Sequence, residues 1–474
     1  MSRSAVQAMS PLPTPKGNQH KAIFLSADRH HVVLGTAGTG KSTMAMLRAD
    51  HLARTSTLNH GPVLVVTYNN TLVKYLRYLS PASSNAITIE TYGKFARGYL
   101  NSVGRMGYNQ IAGPDDVRAL VERAKTNVRA AGYTHAVLDR DLGWIVDELH
   151  WISGMGICSL ADYQAVDRLG RQTPLTRGDA RQTVWAVRDA YRDIRAACGY
   201  RYDWYDIATA VTDSLANDHD PRRYRHIIID EGQDLSPEAI RSLVAAVAPG
   251  GSLTFFGDYH QAIYGQGLSW QKSGIDLRGR QVERFADNLR NTAQIANVAI
   301  ALTESEFMST GDLDLVLPRA PKAAGPMPTL VRCDNAASEA EYIRDLALDA
   351  SKDQSIAILA RTWAEAKRVA AGLAYTPLRE SMGRWDERPG IYVGAYHSSK
   401  GLEFDGVFLP QLNDAKLPHP DVLRAYDDNE AYAREARLLY VAVTRARSSL
   451  VMSHSGQPSR LLPANNGLWR EENA

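Results

Sequence analysis

One stretch constrains this chain more than any other. Gly35-Thr36-Ala37-Gly38-Thr39-Gly40-Lys41-Ser42-Thr43 has the form G-x-x-x-x-G-K-S and directly follows the apolar run Val32 to Leu34. A strand that turns through such a loop into a helix aims successive backbone N–H groups, and the positive end of the helix, at one point in space. That point suits a phosphate. Gly38 and Gly40 let the backbone close around it, Lys41 reaches the β and γ oxygens of a nucleotide, and the hydroxyls of Ser42 and Thr43 face the same anion, with Ser42 placed to ligate magnesium. Nucleotide and Mg2+ are therefore the cofactors this loop predicts, and it needs a parallel sheet behind it. Short β-rich runs meet that need at Val63 to Val66, Ile227 to Ile229, Leu253 to Phe256, Ile356 to Leu359 and Gly406 to Leu409. Their continuous apolar character fits buried parallel strands separated by helices, an α/β fold.

A second site feature follows His226-Ile227-Ile228-Ile229. The run ends in Asp230-Glu231. Asp230 is placed to hold magnesium through water, and Glu231 to polarise an attacking water. The segment from 93 to 220 differs from its flanks: it is helical in pattern and carries Trp144, Trp151, Trp185 and Trp204. It reads as a helical insertion into an α/β domain, and 474 residues allow about three domains. A loop is expected from Tyr375 to Gly390.

The 54 basic and 52 acidic residues nearly cancel, at a net charge of +2, so any nucleic-acid contact must be local. No apolar run approaches the ~18 residues of a membrane span, so no membrane partner is expected. Three widely spaced cysteines, Cys158, Cys198 and Cys333, fit reduced thiols and a cytoplasmic location. The opening residues 1–16 lack the apolar centre of a signal peptide and read as a mobile tail.

The order of further motifs resembles the UvrD/Rep-type superfamily 1 DNA helicases. Gln19 stands 22 residues before Lys41, as that family's adenine-reading glutamine does. Thr67-Tyr68-Asn69-Asn70 and Thr91-Tyr92 are similar to its first two single-strand contact motifs. Asp230-Glu231-Gly232-Gln233-Asp234 resembles its magnesium motif, and Gly257-Asp258-Tyr259-His260-Gln261-Ala262-Ile263-Tyr264 its coupling motif. Asn288-Leu289-Arg290-Asn291, the run His397 to Phe404, and the run Tyr440 to Ala446 are similar to three motifs of the second lobe. The resemblance implies two RecA-like lobes with parallel sheets, 17–92 with 221–283 and then 284–474, with the helical insertion at 93–220. It implies ATP between the lobes, Gln261 sensing the γ-phosphate, Arg290 and Arg445 as arginine fingers and Glu403 on the ribose. Single-stranded DNA, or a tailed duplex, would lie on Tyr68, Asn70, Thr91, Tyr264, Trp270 and His397, with movement 3′ to 5′.

The chain departs from the family pattern in several places. Leu289 replaces an adenine-stacking aromatic, Gln266 stands where a tryptophan is common, and Gly93 stands where a histidine often follows. Only 35 residues separate Arg361 from His397, too few for the family's second-lobe accessory domain, and only 28 follow Ala446, too few for a nuclease domain. A second reading is thus a DNA-stimulated ATPase subunit that regulates or loads a separate nuclease in repair or phage defence, with little unwinding of its own. A P-loop kinase or signalling NTPase would explain the phosphate loop and Asp230-Glu231 but leaves the later motifs unexplained.

Overall fold

The computed structural model describes residues 14–474 except 81–84, 169, 172, 259–269, 272, 278–281, 309–318, 320, 322, 380–381, 384 and 386–387. Gln261 and Tyr264, and nearly all of the expected N-terminal tail, lie outside the described residues. In the first half the strands are β1 (His31–Gly35), β2 (Val63–Thr67), β3 (Ile87–Thr91), β4 (Ile111–Ala112), β5 (Tyr202–Asp203), β6 (Tyr224–Ile229), β7 (Val247–Gly257) and β8 (Glu283–Phe285). Six of these form one parallel sheet in the order β3-β2-β6-β7-β1-β8, and β4 pairs with β5 apart from it. The second half adds β9 (Thr329–Cys333), β10 (Ser355–Ala360), β11 (Thr376–Pro377), β12 (Gly390–Ala395), β13 (Phe404–Leu409), β14 (Ala446–Ser455) and β15 (Arg470–Asn473). They form a second parallel sheet, β11-β12-β10-β13-β14-β9-β15. The chain is thus α/β with two RecA-like lobes.

Successive side chains of a strand point to opposite faces, and here each face meets a different core. Val33, Val63, Val65, Ile228 and Phe256 belong to one apolar cluster, whereas Val32, Leu34, Leu64, Val66, Ile227, Ile229 and Phe255 belong to another. The second sheet divides likewise: Ala357, Leu359, Phe404, Val407 and Leu409 join the first of those clusters, and Ile356, Ile358, Ile391, Val393 and Phe408 form a separate one. The two lobes therefore share a single apolar cluster across their facing sides. Trp385, inside the segment expected to be a loop, is buried in it, with its ring edge-on to Tyr75 at 5.8 Å and to Phe404 at 6.0 Å.

The helical region carries its own core, from Ala112 to Tyr191, including the buried Trp144 and Trp151. Its flanking helices do not share it. Phe95, Ala96 and Leu100 of Tyr92–Ser102, and Ile207, Val211 and Leu215 of Ile207–Ala216, pack in the first lobe's outer core. A boundary drawn at 93 and 220 therefore cuts through that core.

Gly401 marks a close approach of the lobes. Its φ is +79°, and a Cβ there would stand 2.6 Å from Cδ1 of Leu72 on the first-lobe helix Asn70–Leu79. Alanine at this position would combine backbone strain with overpacking. Gly401→Ala is expected to lower the stability by about 1–3 kcal/mol in urea unfolding; an unshifted midpoint would mean that Leu72 moves aside at no cost.

Candidate nucleotide and strand sites

β1 ends at Gly35 and the helix Lys41–Ala53 begins after Gly40, whose left-handed φ of +78° lets the loop turn into the helix. Lys41 is held inside this turn. Its Nζ donates to the carbonyls of Gly35 (2.9 Å) and Thr36 (2.8 Å) and lies 3.6 Å from Oδ2 of Asp258 at the end of β7. Gln19 braces the loop from outside, donating to Thr39 O (2.8 Å) and accepting from Lys16 N (2.8 Å). The second lobe's linker completes the wall: Leu289 N donates to Gly38 O (2.9 Å), and Asn288 occupies the space that a side chain at Gly38 would need.

Three carboxylates stand at the end of β6, and their environments drive them apart. Asp230 is fully buried, and its oxygens meet no partner at full hydrogen-bond geometry, although the Ser42 hydroxyl and the Glu231 backbone lie close enough to favour its charged form. Burial, then the adjacent Glu231, pushes its carboxyl up to about 7. A buried carboxylate next to a serine hydroxyl fits a divalent cation, which would neutralise its charge. Among the described residues no group of three or more His, Cys, Asp or Glu could hold a metal ion. Glu231 adopts a left-handed φ of 55°, a strained conformation for a side chain of this kind, which turns it away from the strand direction. Burial raises its pKa, but Lys400, Lys41 and Arg445 outweigh it and hold the carboxyl below its ordinary value. Asp234 is raised by burial to about 6 despite an ion pair of 2.6 Å with Lys400 Nζ.

Lys400 and Arg445 belong to the second lobe. Arg445 is buried, donating from Nε to Val441 O (2.9 Å), from Nη1 to Leu402 O (3.3 Å) and from Nη2 to Thr444 Oγ1 (3.0 Å). Burial and the neighbouring Arg290 lower its pKa to about 10. Arg290 pairs with Glu403, which also receives Arg447 Nε at 3.2 Å. Tyr440, one turn before Thr444, reaches the backbone of Ala37 in the phosphate loop. Lys41, Asp230, Glu231, Arg290, Glu403 and Arg445 thus converge on one cleft between the lobes. The Lys400–Asp234 pair was not singled out in the sequence; its one signal was that each lies in a motif already assigned to an opposite lobe.

The strand candidates are less uniform. Tyr68 is exposed, Asn70 opens the helix Asn70–Leu79, Thr91 caps Tyr92–Ser102 by accepting from Lys94 N (3.3 Å), and His397 is exposed on the turn Tyr396–Ser399. Trp270 departs from the expectation of a strand-facing ring: it is half-buried in the first lobe's outer core, edge-on to Phe255 at 4.9 Å. Sequence reasoning placed Trp204 in the insertion without a role. It is 44% exposed and lies over Gly93, where a Cβ would come within 2.9 Å of its Cζ3. The missing histidine at 93 and this exposed ring are therefore one feature.

Comparison with known proteins gives the same order of parts. A family model described as an AAA domain matches residues 19–266, just over half of the chain, and one described as a UvrD-like helicase C-terminal domain matches 378–457. The ATP-dependent DNA helicase UvrD2 of Mycobacterium tuberculosis is 24% identical over 590 aligned residues, covering 96% of this chain and 82% of that protein. The ATP-dependent DNA helicase PcrA of Staphylococcus aureus is 34% identical over 85 residues, 17% of this chain and 12% of that protein. Among the described residues no helix is long and apolar enough to cross a membrane. With a phosphate loop in the first lobe and arginines from the second in the same cleft, the chain belongs to the UvrD/Rep-type superfamily 1 helicases, enzymes that hydrolyse ATP.

Proposed function

We propose that the chain uses ATP hydrolysis to move 3′ to 5′ along single-stranded DNA, bound alone or as the tail of a duplex. The observation that carries this reading is the reach of second-lobe cations onto first-lobe carboxylates: Lys400 onto Asp234, and Arg445 toward Glu231. Phosphoryl transfer needs positive charge on the γ-phosphate, and an arginine supplied from a second element is worth about 10³ to 10⁵ in rate. Because Arg445 and Arg290 sit on the second lobe, hydrolysis requires the lobes to be together, and losing the γ-phosphate changes the force between them.

Each residue then has a task. Lys41 and the loop amides bind the β and γ oxygens, and Gln19 and Glu403 bind the base and ribose. Glu231, held ionised, accepts hydrogen bonds from the attacking water. Bound at Ser42 and Asp230, magnesium would screen the phosphate oxygens and stabilise the leaving group. Arg290 is paired with Glu403, so its service on the γ-phosphate entails exchanging a carboxylate for a phosphate. On the strand side, Tyr68 of the first lobe and Trp204 of the insertion offer faces for sequence-tolerant stacking while His397 contacts the strand from the second lobe. Closing and opening then shift one set of contacts relative to the other.

ATPase assays with and without single-stranded DNA, beside strand displacement on 3′-tailed and 5′-tailed duplexes, test the whole reading; absence of DNA stimulation would overturn it. Lys41→Ala is expected to abolish hydrolysis. Arg445→Ala should retain ATP binding while turnover drops by about 10³ or more, and normal turnover would remove it from the finger role. Protons compete with magnesium for Asp230, so the magnesium needed for half-maximal hydrolysis should be higher at pH 6 than at pH 8; equal requirements would argue against Asp230 as a ligand. Trp204→Ala should cost about 1–3 kcal/mol of strand affinity by anisotropy titration, against no change if the ring merely covers Gly93.

A further inference from the structure

The helical insertion does not end at its own core. It reaches the second lobe through a cluster of charged groups. Asp147 of the insertion accepts from Arg434 Nη2 (2.7 Å) and from the Tyr426 hydroxyl (2.8 Å) and pairs with Arg171. Glu430 accepts from Thr173 N (2.8 Å) and from Arg434 Nη2 (2.8 Å). Arg434 and Glu430 lie on the helix Asp428–Val443, whose far end leads to Arg445. Residue 437 follows on the same face, three positions after Arg434 and seven after Glu430.

Arg437 makes no hydrogen bond or ion pair with the described residues. It is enclosed enough for burial, and then the neighbouring Arg434, to lower its pKa, with Glu430 the only opposing charge of note. It is nevertheless partly open to solvent. Arg171 and Arg434 pair with Asp147 and Glu430, and Arg437 stands beside them without a pairing of its own among the described residues. An enclosed cation without a counter-ion is costly unless an anion arrives.

Two strand candidates connect to this helix through intermediate residues. On one side Tyr205 stacks on His150 at 3.5 Å and lies near both Tyr68 and Asp147. On the other, Glu435 holds Arg361 through bonds of 2.6 and 2.7 Å, and the charge of Arg361 reaches His397. The phosphate loop is contacted from further along the helix, by Tyr440.

We propose that Arg437 binds one backbone phosphate of the strand, between Tyr68 on the first lobe and His397 on the second. This rests on the strand-binding reading above. Phosphodiester is the anion that fits: the guanidinium fork matches two phosphate oxygens, and the carboxylates nearby are committed to Arg171 and Arg434. The Asp147–Arg434–Glu430 contact keeps Arg434 occupied, so that Arg437 alone is left for the strand.

The test is affinity for a fluorescent oligothymidylate, measured by anisotropy across a salt series for the unmodified chain, Arg437→Ala, Arg437→Lys and Trp204→Ala. Arg437→Ala should bind about tenfold more weakly, with a plot of log affinity against log salt shallower by about 0.7, the loss of one phosphate contact. Arg437→Lys should recover most of that slope, and it serves in place of the alanine variant should the latter not fold. Thermal unfolding of the DNA-free Arg437→Ala chain should be unchanged or raised, since an unpaired enclosed charge is removed. Unchanged affinity and slope in Arg437→Ala, while Trp204→Ala weakens binding, would overturn the assignment and leave strand binding intact. Failure of the unmodified chain to bind the oligothymidylate would overturn both.

Discussion

Three acidic groups buried at the end of one strand are the constraint on which the structure turns. Asp230, Glu231 and Asp234 sit where water cannot screen them, and among the described residues the cations acting on them are Lys41 from the first lobe and Lys400 and Arg445 from the second. Burying like charges together is unfavourable, and the cost falls as the second lobe approaches. The same acids that a nucleotide site needs therefore make the lobes electrostatically dependent on each other. Asp230 is relieved least, which leaves it the member of the group most suited to a metal cation.

The apolar side of the cleft works in the same direction. One cluster runs from Val33 and Phe256 of the first sheet to Phe404 and Leu409 of the second, through Leu72, Tyr75 and Trp385. Lobe movement must then expose apolar surface as well as separate charges, so motion is costly everywhere along the seam unless it slides. The helix Asp428–Val443 spans the seam, touching the insertion through Glu430 and Arg434 and the phosphate loop through Tyr440. A rigid rod with both contacts carries displacement at one end to the other.

Much of this was legible in the sequence because parallel strands buried on both faces leave continuous apolar runs. Each run of that kind identified there is a strand, and the phosphate loop and Asp230-Glu231 follow two of them. Strands at or near the sheet margins were harder to see. Ile87–Thr91, Glu283–Phe285 and Arg470–Asn473 carry polar residues because they have a neighbour on one side only, and Gly390–Ala395 sat at the end of what read as a loop. Trp385 could not be recognised as core, since its burial depends on Tyr75 some three hundred residues earlier. The insertion boundary was obscured because its flanking helices are amphipathic like the rest, and only packing shows which core they serve. Leu289 and Gly93 were visible as departures, but what fills the space beside Gly93 was not.

Trp204 and Gly93 belong to different parts of the fold and to one surface. The two positions are matched: a histidine at 93 would collide with the indole, and a smaller residue at 204 would leave a surface hollow beside the glycine. The insertion is therefore not a free module. Grafting a relative's insertion onto this first lobe, or this insertion onto a relative, would join surfaces that no longer match unless both positions travel together, so recombination between such chains should tolerate crossovers that keep the pair intact and reject those that split it.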